Sequence, residues 1–108
     1  MRRPPILPTA TAVIVLGAVV FLAPSAFGAD ADNGERLARR WCASCHVVAS
    51  NQRQASAEAV TFATIAKKPG FNAGQLAFFL LTPHPKMPDM SLTRSEAADL
   101  AAYIGKLR

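Results

Sequence analysis

Only two cysteines and two histidines occur among the 108 residues. That scarcity works against a zinc site, which needs four ligands. Cys42, Cys45, His46 and His84 are the only thiols and imidazoles available, and His46 directly follows Cys45. Shared tetrahedral coordination by those neighbours is awkward. A thioredoxin-like C-x-x-C belongs to a βαβ pattern, and no stretch of this chain reads clearly as a strand. A single structural disulfide would have no use for His46. No internal repeat, heptad run or low-complexity segment is present.

Acidic residues are also scarce: 7 against 12 basic ones, for a net charge of +5. Part of that imbalance sits at the N-terminus. Arg2 and Arg3 precede an uncharged apolar stretch, Ala10 to Ala23, and the small residues Ala26, Gly28, Ala29 and Ala31 follow. This is the pattern of a secretory signal peptide. Cleavage is expected after Gly28, or as late as Ala31, so 1–28 reads as signal and 29–108 as one folded domain. The alternative, an uncleaved anchor, has an apolar run shorter than the ~20 residues of a membrane span, and Pro24 interrupts its end. Without Arg2 and Arg3 the charge falls from +5 to +3, which removes the main support for a nucleic-acid partner. A domain of this length buries only about 60% of its unfolded surface and commonly needs a staple.

What is present is concentrated in Cys42-Ala43-Ser44-Cys45-His46. A C-x-x-C-H run is the attachment signature of covalent c-type haem. On a helical turn the thiols are i and i+3, and Cys42 and His46 are i and i+4, so all three share one face. The thiols can form thioethers with two haem vinyl groups, and the imidazole then lies beneath the iron as proximal ligand. Two haem propionates would lower the net charge further, to about +1. A haem would form the middle of the core, and the apo chain is expected to fold poorly.

The sequence around the motif is helical. Residues 32–41 form a first helix, with Asp32 as expected cap and Glu35 three residues on. Residues 47–57 are polar and read as a loop. Ala57 to Ala66 reads as a short helix ended by Lys67, Lys68, Pro69 and Gly70. Asn72 caps a third helix whose Leu76, Phe78, Phe79, Leu80 and Leu81 predict burial on most sides. A proline-rich loop runs from Thr82 to Ser91 and holds itself extended. Thr93 to Glu96 is a capping box for a last helix, with Leu92 and Ala97 as a hydrophobic staple and Leu100, Tyr103, Ile104 and Leu107 on one face. The fold class is all-α.

Function turns on the sixth iron position, for which Met87, Met90, His84 or no side chain are the candidates. The ending Met87-Pro88, Leu92-Thr93, Glu96, Asp99-Leu100 and Ala102-Tyr103-Ile104, together with the attachment motif near the mature N-terminus, resembles a small class I bacterial cytochrome c. The resemblance covers essentially the whole mature chain. It implies about four short helices wrapped around one covalent haem c, with the N- and C-terminal helices crossing where Gly34 meets Tyr103. It implies Cys42 and Cys45 as thioether positions, His46 as proximal ligand and Met87 as distal ligand. Met90 is then a gap-filler and His84 a surface residue. Two family features are missing. Ala38 stands where a first-helix aromatic is usual, with Trp41 or Leu37 as replacement. No proline lies between His46 and Pro69 to supply the carbonyl that commonly accepts the proximal histidine's Nδ1–H bond.

The expected function is an exported, periplasmic, monomeric electron carrier and not an enzyme. It exchanges single electrons with transient redox partners by outer-sphere transfer, steered by Lys67, Lys68, Lys86 and Arg53. Rival expectations are a subunit of a periplasmic dehydrogenase or oxidase complex, with Phe78 to Leu81 as interface, and a peroxidase or gas sensor with a labile sixth site.

Overall fold

The structure, a computed structural model, describes residues 28–56, 59–82 and 85–108, with Met1 and Pro5. The apolar segment of the expected signal and His84 lie outside the described residues. Four helices follow one another: α1 (Ala31–Trp41), α2 (Phe62–Ala66), α3 (Ala73–Leu80) and α4 (Arg94–Gly105). Among the described residues there is no strand, and no helix is long and apolar enough to cross a membrane.

The cap of α1 is Asp30 rather than Asp32. Its carboxylate accepts from the backbone N–H groups of Asp32 and Asn33, both at 3.0 Å. Asp32 therefore falls inside the first turn, where a negative charge suits the helix dipole. Glu35, its expected capping partner, pairs instead with Arg39 one turn on, at 2.7 Å. The second helix is shorter than expected. It begins at Phe62 because the Thr61 hydroxyl caps it through the N–H of Thr64 at 3.1 Å. Asn72 caps α3 through the N–H of Gln75, and the Thr93–Glu96 box on α4 is complete in both directions.

α1 and α4 cross in close contact, and Gly34 is the reason they can. A Cβ on Gly34 would collide with the backbone carbonyl of Asp99 and come within 2.9 Å of the Tyr103 Cβ. Ala38, one turn further along the same stripe, is fully buried. The Asp99 carboxylate fastens the crossing. It accepts from the Asp30 backbone N–H at 2.6 Å and from the Asn33 side-chain amide at 2.9 Å. Leu37 packs at the edge of the core. Trp41 is 45% exposed, with the Arg40 guanidinium 4.9 Å from its ring, and it lines a cavity.

The core is small. Leu100, Ile104 and Val48 are the largest fully buried side chains, and Ala38, Cys42, Phe62, Ala66 and Tyr103 complete the cluster. α3 departs most from expectation, because it has no fully buried residue. Leu76, Phe79 and Leu80 line a cavity, and Leu76 and Leu80 also pack against the core that α4 builds. Phe78 points outward and is 74% exposed. An eight-residue helix with apolar side chains nearly all round cannot bury every face against so thin a core.

Candidate functional site

The residues that follow α1 turn back on themselves. The Cys42 N–H continues the helix to the Ala38 carbonyl, and then the Cys45 and His46 N–H groups both reach the Cys42 carbonyl, at 3.1 and 2.8 Å. This tight turn puts Cys42, Cys45 and His46 on the wall of one cavity. Cys42 is buried, Cys45 exposed, and both are free thiols. Burial pushes the Cys42 thiol up to about 11, with the neighbouring Cys45 adding to the shift, so the group is un-ionised at neutral pH.

Beyond the turn, residues 46–48 run beside residues 60–62. The Phe62 N–H donates to the Val47 carbonyl at 3.0 Å. Two residues earlier, the Val60 carbonyl lies 2.6 Å from His46 Nδ1. A backbone carbonyl can only accept, so Nδ1 carries a proton, and in the neutral ring Nε2 is then the nitrogen with the lone pair. Val60 thus supplies the acceptor for which no proline was found. A carbonyl is enough for the task, and any residue has one. The Phe62 ring sits against the imidazole, centroids 5.4 Å apart. The Tyr103 hydroxyl donates to the buried Val48 carbonyl at 2.6 Å, tying α4 to the same segment.

The opposite wall comes from α3 and the proline-rich loop. Met87 and Met90 are both half-buried and both line the cavity, together with Pro88. Lys86 and Ser91 bracket them in the left-handed region, at φ 74° and 51°. That conformation is costly for side chains with a Cβ, and here it sets the direction of the loop on either side of the methionines. The sequence pointed to Met87 and regarded Met90 as a filler; the fold places both residues on the lining of the same cavity.

The cavity measures about 650 Å³, within the range of pockets that hold small molecules and cofactors. A smaller cavity that shares Cys42, His46, Met87 and Met90 with it is walled by Phe62, Ile65, Leu76, Leu80, Leu100 and Ile104. Lys68 and Lys86 are the charged residues on the lining of the larger cavity, and no carboxylate joins them among the described residues. Lys67 and Arg53 are exposed but are not part of that lining. The donor set fits a covalently held haem: two thiols and an imidazole with a free Nε2 on one wall, thioethers on the other, and an apolar interior. It does not suit zinc, since among the described residues no group of three or more His, Cys, Asp or Glu side chains could hold a metal ion.

Comparison with known proteins agrees with this donor set. The chain is 58% identical over 91 residues to Cytochrome c-552 of Bradyrhizobium diazoefficiens, an alignment that spans 84% of this chain and 88% of that protein. No family model matches the chain. No solved structure matches it either.

Proposed function

Since the chain belongs to the small monohaem class I c-type cytochromes, electron-transfer proteins with covalently bound haem c, we propose that Cys42 and Cys45 carry the thioether bonds and that His46 and Met87 are the axial iron ligands. The observation that carries this reading is the pair of walls: His46, with Nδ1 engaged by Val60, faces a cavity that Met87 lines from the other side. The haem supplies one chemistry, the reversible exchange of one electron at iron between the ferric and ferrous states.

The chain's own residues do the rest. His46 presents Nε2 as an electron donor, strengthened by the Nδ1–H bond to Val60. Met87 offers a thioether, which favours the ferrous state. The apolar side chains of α3 and α4 keep water from the deep wall and disfavour the more highly charged ferric form. If His46 and Met87 both hold the iron, no position would be left there for a substrate, which supports outer-sphere transfer by a carrier rather than an enzyme.

Lys68 and Lys86, on the cavity lining, suit weak, charge-steered docking of a redox partner with an acidic contact surface. Residues 1–28 act as a signal for export to the periplasm, leaving 29–108 as a monomeric mature domain. An absorption spectrum of the purified protein during a redox titration tests haem, ligation and carrier function together. A high-spin oxidised spectrum, with an open sixth position, would sink the His46/Met87 assignment.

The exposed Phe78 and Leu81 favour one second reading, a subunit of a larger periplasmic redox complex. Gel filtration of native extract separates the two: a free carrier elutes at the mass of one chain.

A further inference from the structure

Residues 47–61 contain neither helix nor strand among those described, so their backbone groups and those of the attachment turn need partners from elsewhere. One side chain supplies four of them. The Gln52 Nε2 amide donates to the carbonyls of Ala43 at 2.8 Å, His46 at 2.8 Å and Gln54 at 3.0 Å. Its Oε1 accepts from the Val48 N–H at 2.9 Å. Two amide hydrogens shared over three carbonyls make at least one of these bonds three-centred. Gln52 is itself partly buried, which shields the set from competition with water.

The placement of these contacts matters more than their number. Ala43 lies between the two cysteines, and His46 ends the motif. Holding both carbonyls fixes the two halves of the turn relative to each other. It thereby fixes the Cα–Cβ direction of His46. The Val48 contact anchors the strand-like segment that carries the His46 ring toward Val60. Asparagine would be one methylene too short to span the same groups.

We propose that Gln52 is the positioning residue of the proximal wall: by clamping Ala43, His46 and Val48 it holds the imidazole in the orientation that keeps its Nδ1–H bond to Val60. The inference rests on His46 being the proximal ligand. Loosening the clamp lengthens the bond to Val60, weakens the imidazole as a donor and shifts the iron toward the ferrous state.

Gln52→Met tests this in the holoprotein, because methionine keeps the length and neutrality of glutamine without its donors or acceptor. The expected result is a roughly threefold shift of the Fe(III)/Fe(II) ratio toward ferrous at a fixed applied potential, ~28 mV at 59 mV per tenfold change. His46 Nδ1–H exchange, followed by NMR, is expected to speed up at least tenfold. An unchanged potential and an unchanged exchange rate, with only a lower melting temperature, would reduce Gln52 to a structural role and overturn the proposal. Should Gln52→Met fail to mature, NMR of the wild-type holoprotein decides. Two separate, slowly exchanging Gln52 amide protons support the clamp, and a single averaged, fast-exchanging amide overturns it. A wrong proximal assignment looks different from either: His46→Ala would then leave the wild-type spectrum unchanged.

Discussion

On the proximal wall, residues 42–48 are tied by hydrogen bonds from several directions. Gln52 takes Ala43, His46 and Val48, Phe62 takes Val47, Tyr103 takes the Val48 carbonyl, and Val60 takes the His46 ring. On the distal wall, Met87 stands in a loop shaped by covalent stiffness: Pro85 and Pro88 on either side and left-handed backbone at Lys86 and Ser91. The difference follows from the local chain. Residues 47–61 are rich in small and polar side chains that can bend to meet partners, whereas 82–91 give up backbone donors to proline and gain restricted φ in return. One wall is held by a network that several side chains share; on the other, proline and left-handed backbone are joined by a local bond from the Ser91 N–H to the Asp89 carboxylate at 2.7 Å. Mutations should therefore spread their effects on the first wall and confine them on the second.

Removing the attachment chemistry is the strongest way to break the contrast, because both walls depend on it. A Cys42→Ala/Cys45→Ala chain is expected to carry no haem through a denaturing gel and to lack a cooperative unfolding transition by circular dichroism, since the protein core alone holds few large side chains. Met87→Ala should then show the distal wall acting locally. The sixth position opens, exogenous imidazole binds the ferric protein, and the helical content by circular dichroism stays near wild type. Loss of helicity on the same scale as the cysteine variant would mean that the loop is part of the folding core.

Gly34→Ala probes the frame on which the proximal wall rests. The added methyl meets the Asp99 carbonyl, a backbone atom that cannot swing aside, so α1 and α4 must separate. A loss of about 1–3 kcal/mol in denaturant unfolding is expected. Tyr103→Phe is gentler. It leaves the packing in place and the buried Val48 carbonyl unpaired, at about 1–2 kcal/mol. A small potential shift with that loss would confirm that strain on Val48 reaches His46.

The smallest effect concerns the α1 cap. The Asn33 N–H holds the Asp30 carboxyl below its ordinary value against a desolvation cost, with help from the Asp32 N–H and the charges of Arg36 and Lys106. A lowered carboxyl favours the folded state when ionised, so its contribution is complete above the unfolded value, about pH 4, and fades as pH falls through the lower folded one. Asp30→Asn keeps the cap's acceptor and removes only the charge. Stability curves of the two proteins should differ slightly at neutral pH and converge below about pH 4; curves that stay parallel into acid would assign the cap to hydrogen bonding alone.

Local chemistry was legible wherever the cause is local. The C-x-x-C-H spacing announced a cofactor, the Thr93–Glu96 box announced α4, and Asn72 announced α3, because each signal is contained within a few consecutive residues. Gly34 and Tyr103 were legible through the family resemblance. The cap of α1 was misplaced by two residues because Asp30 and Asp32 are equally good caps by type. Asp99, distant in sequence, draws the chain in at Asp30. On α3 the departure from the predicted burial is Phe78, which faces outward, while Leu76, Phe79 and Leu80 line the cavity, because hydrophobicity states a need for cover and says nothing of what provides it.

By itself, then, the sequence determined the cofactor, the family and the order of helices, since covalent attachment and helix capping depend on neighbours along the chain. Only the tertiary structure decided how the proximal wall is held. Val60 and Gln52 have no motif: a backbone carbonyl is common to every residue and a loop glutamine is usually solvated. They acquire roles when residues 60–62 are laid beside 46–48 and the Gln52 side chain turns inward, and those contacts are distances in space with no counterpart in spacing along the chain.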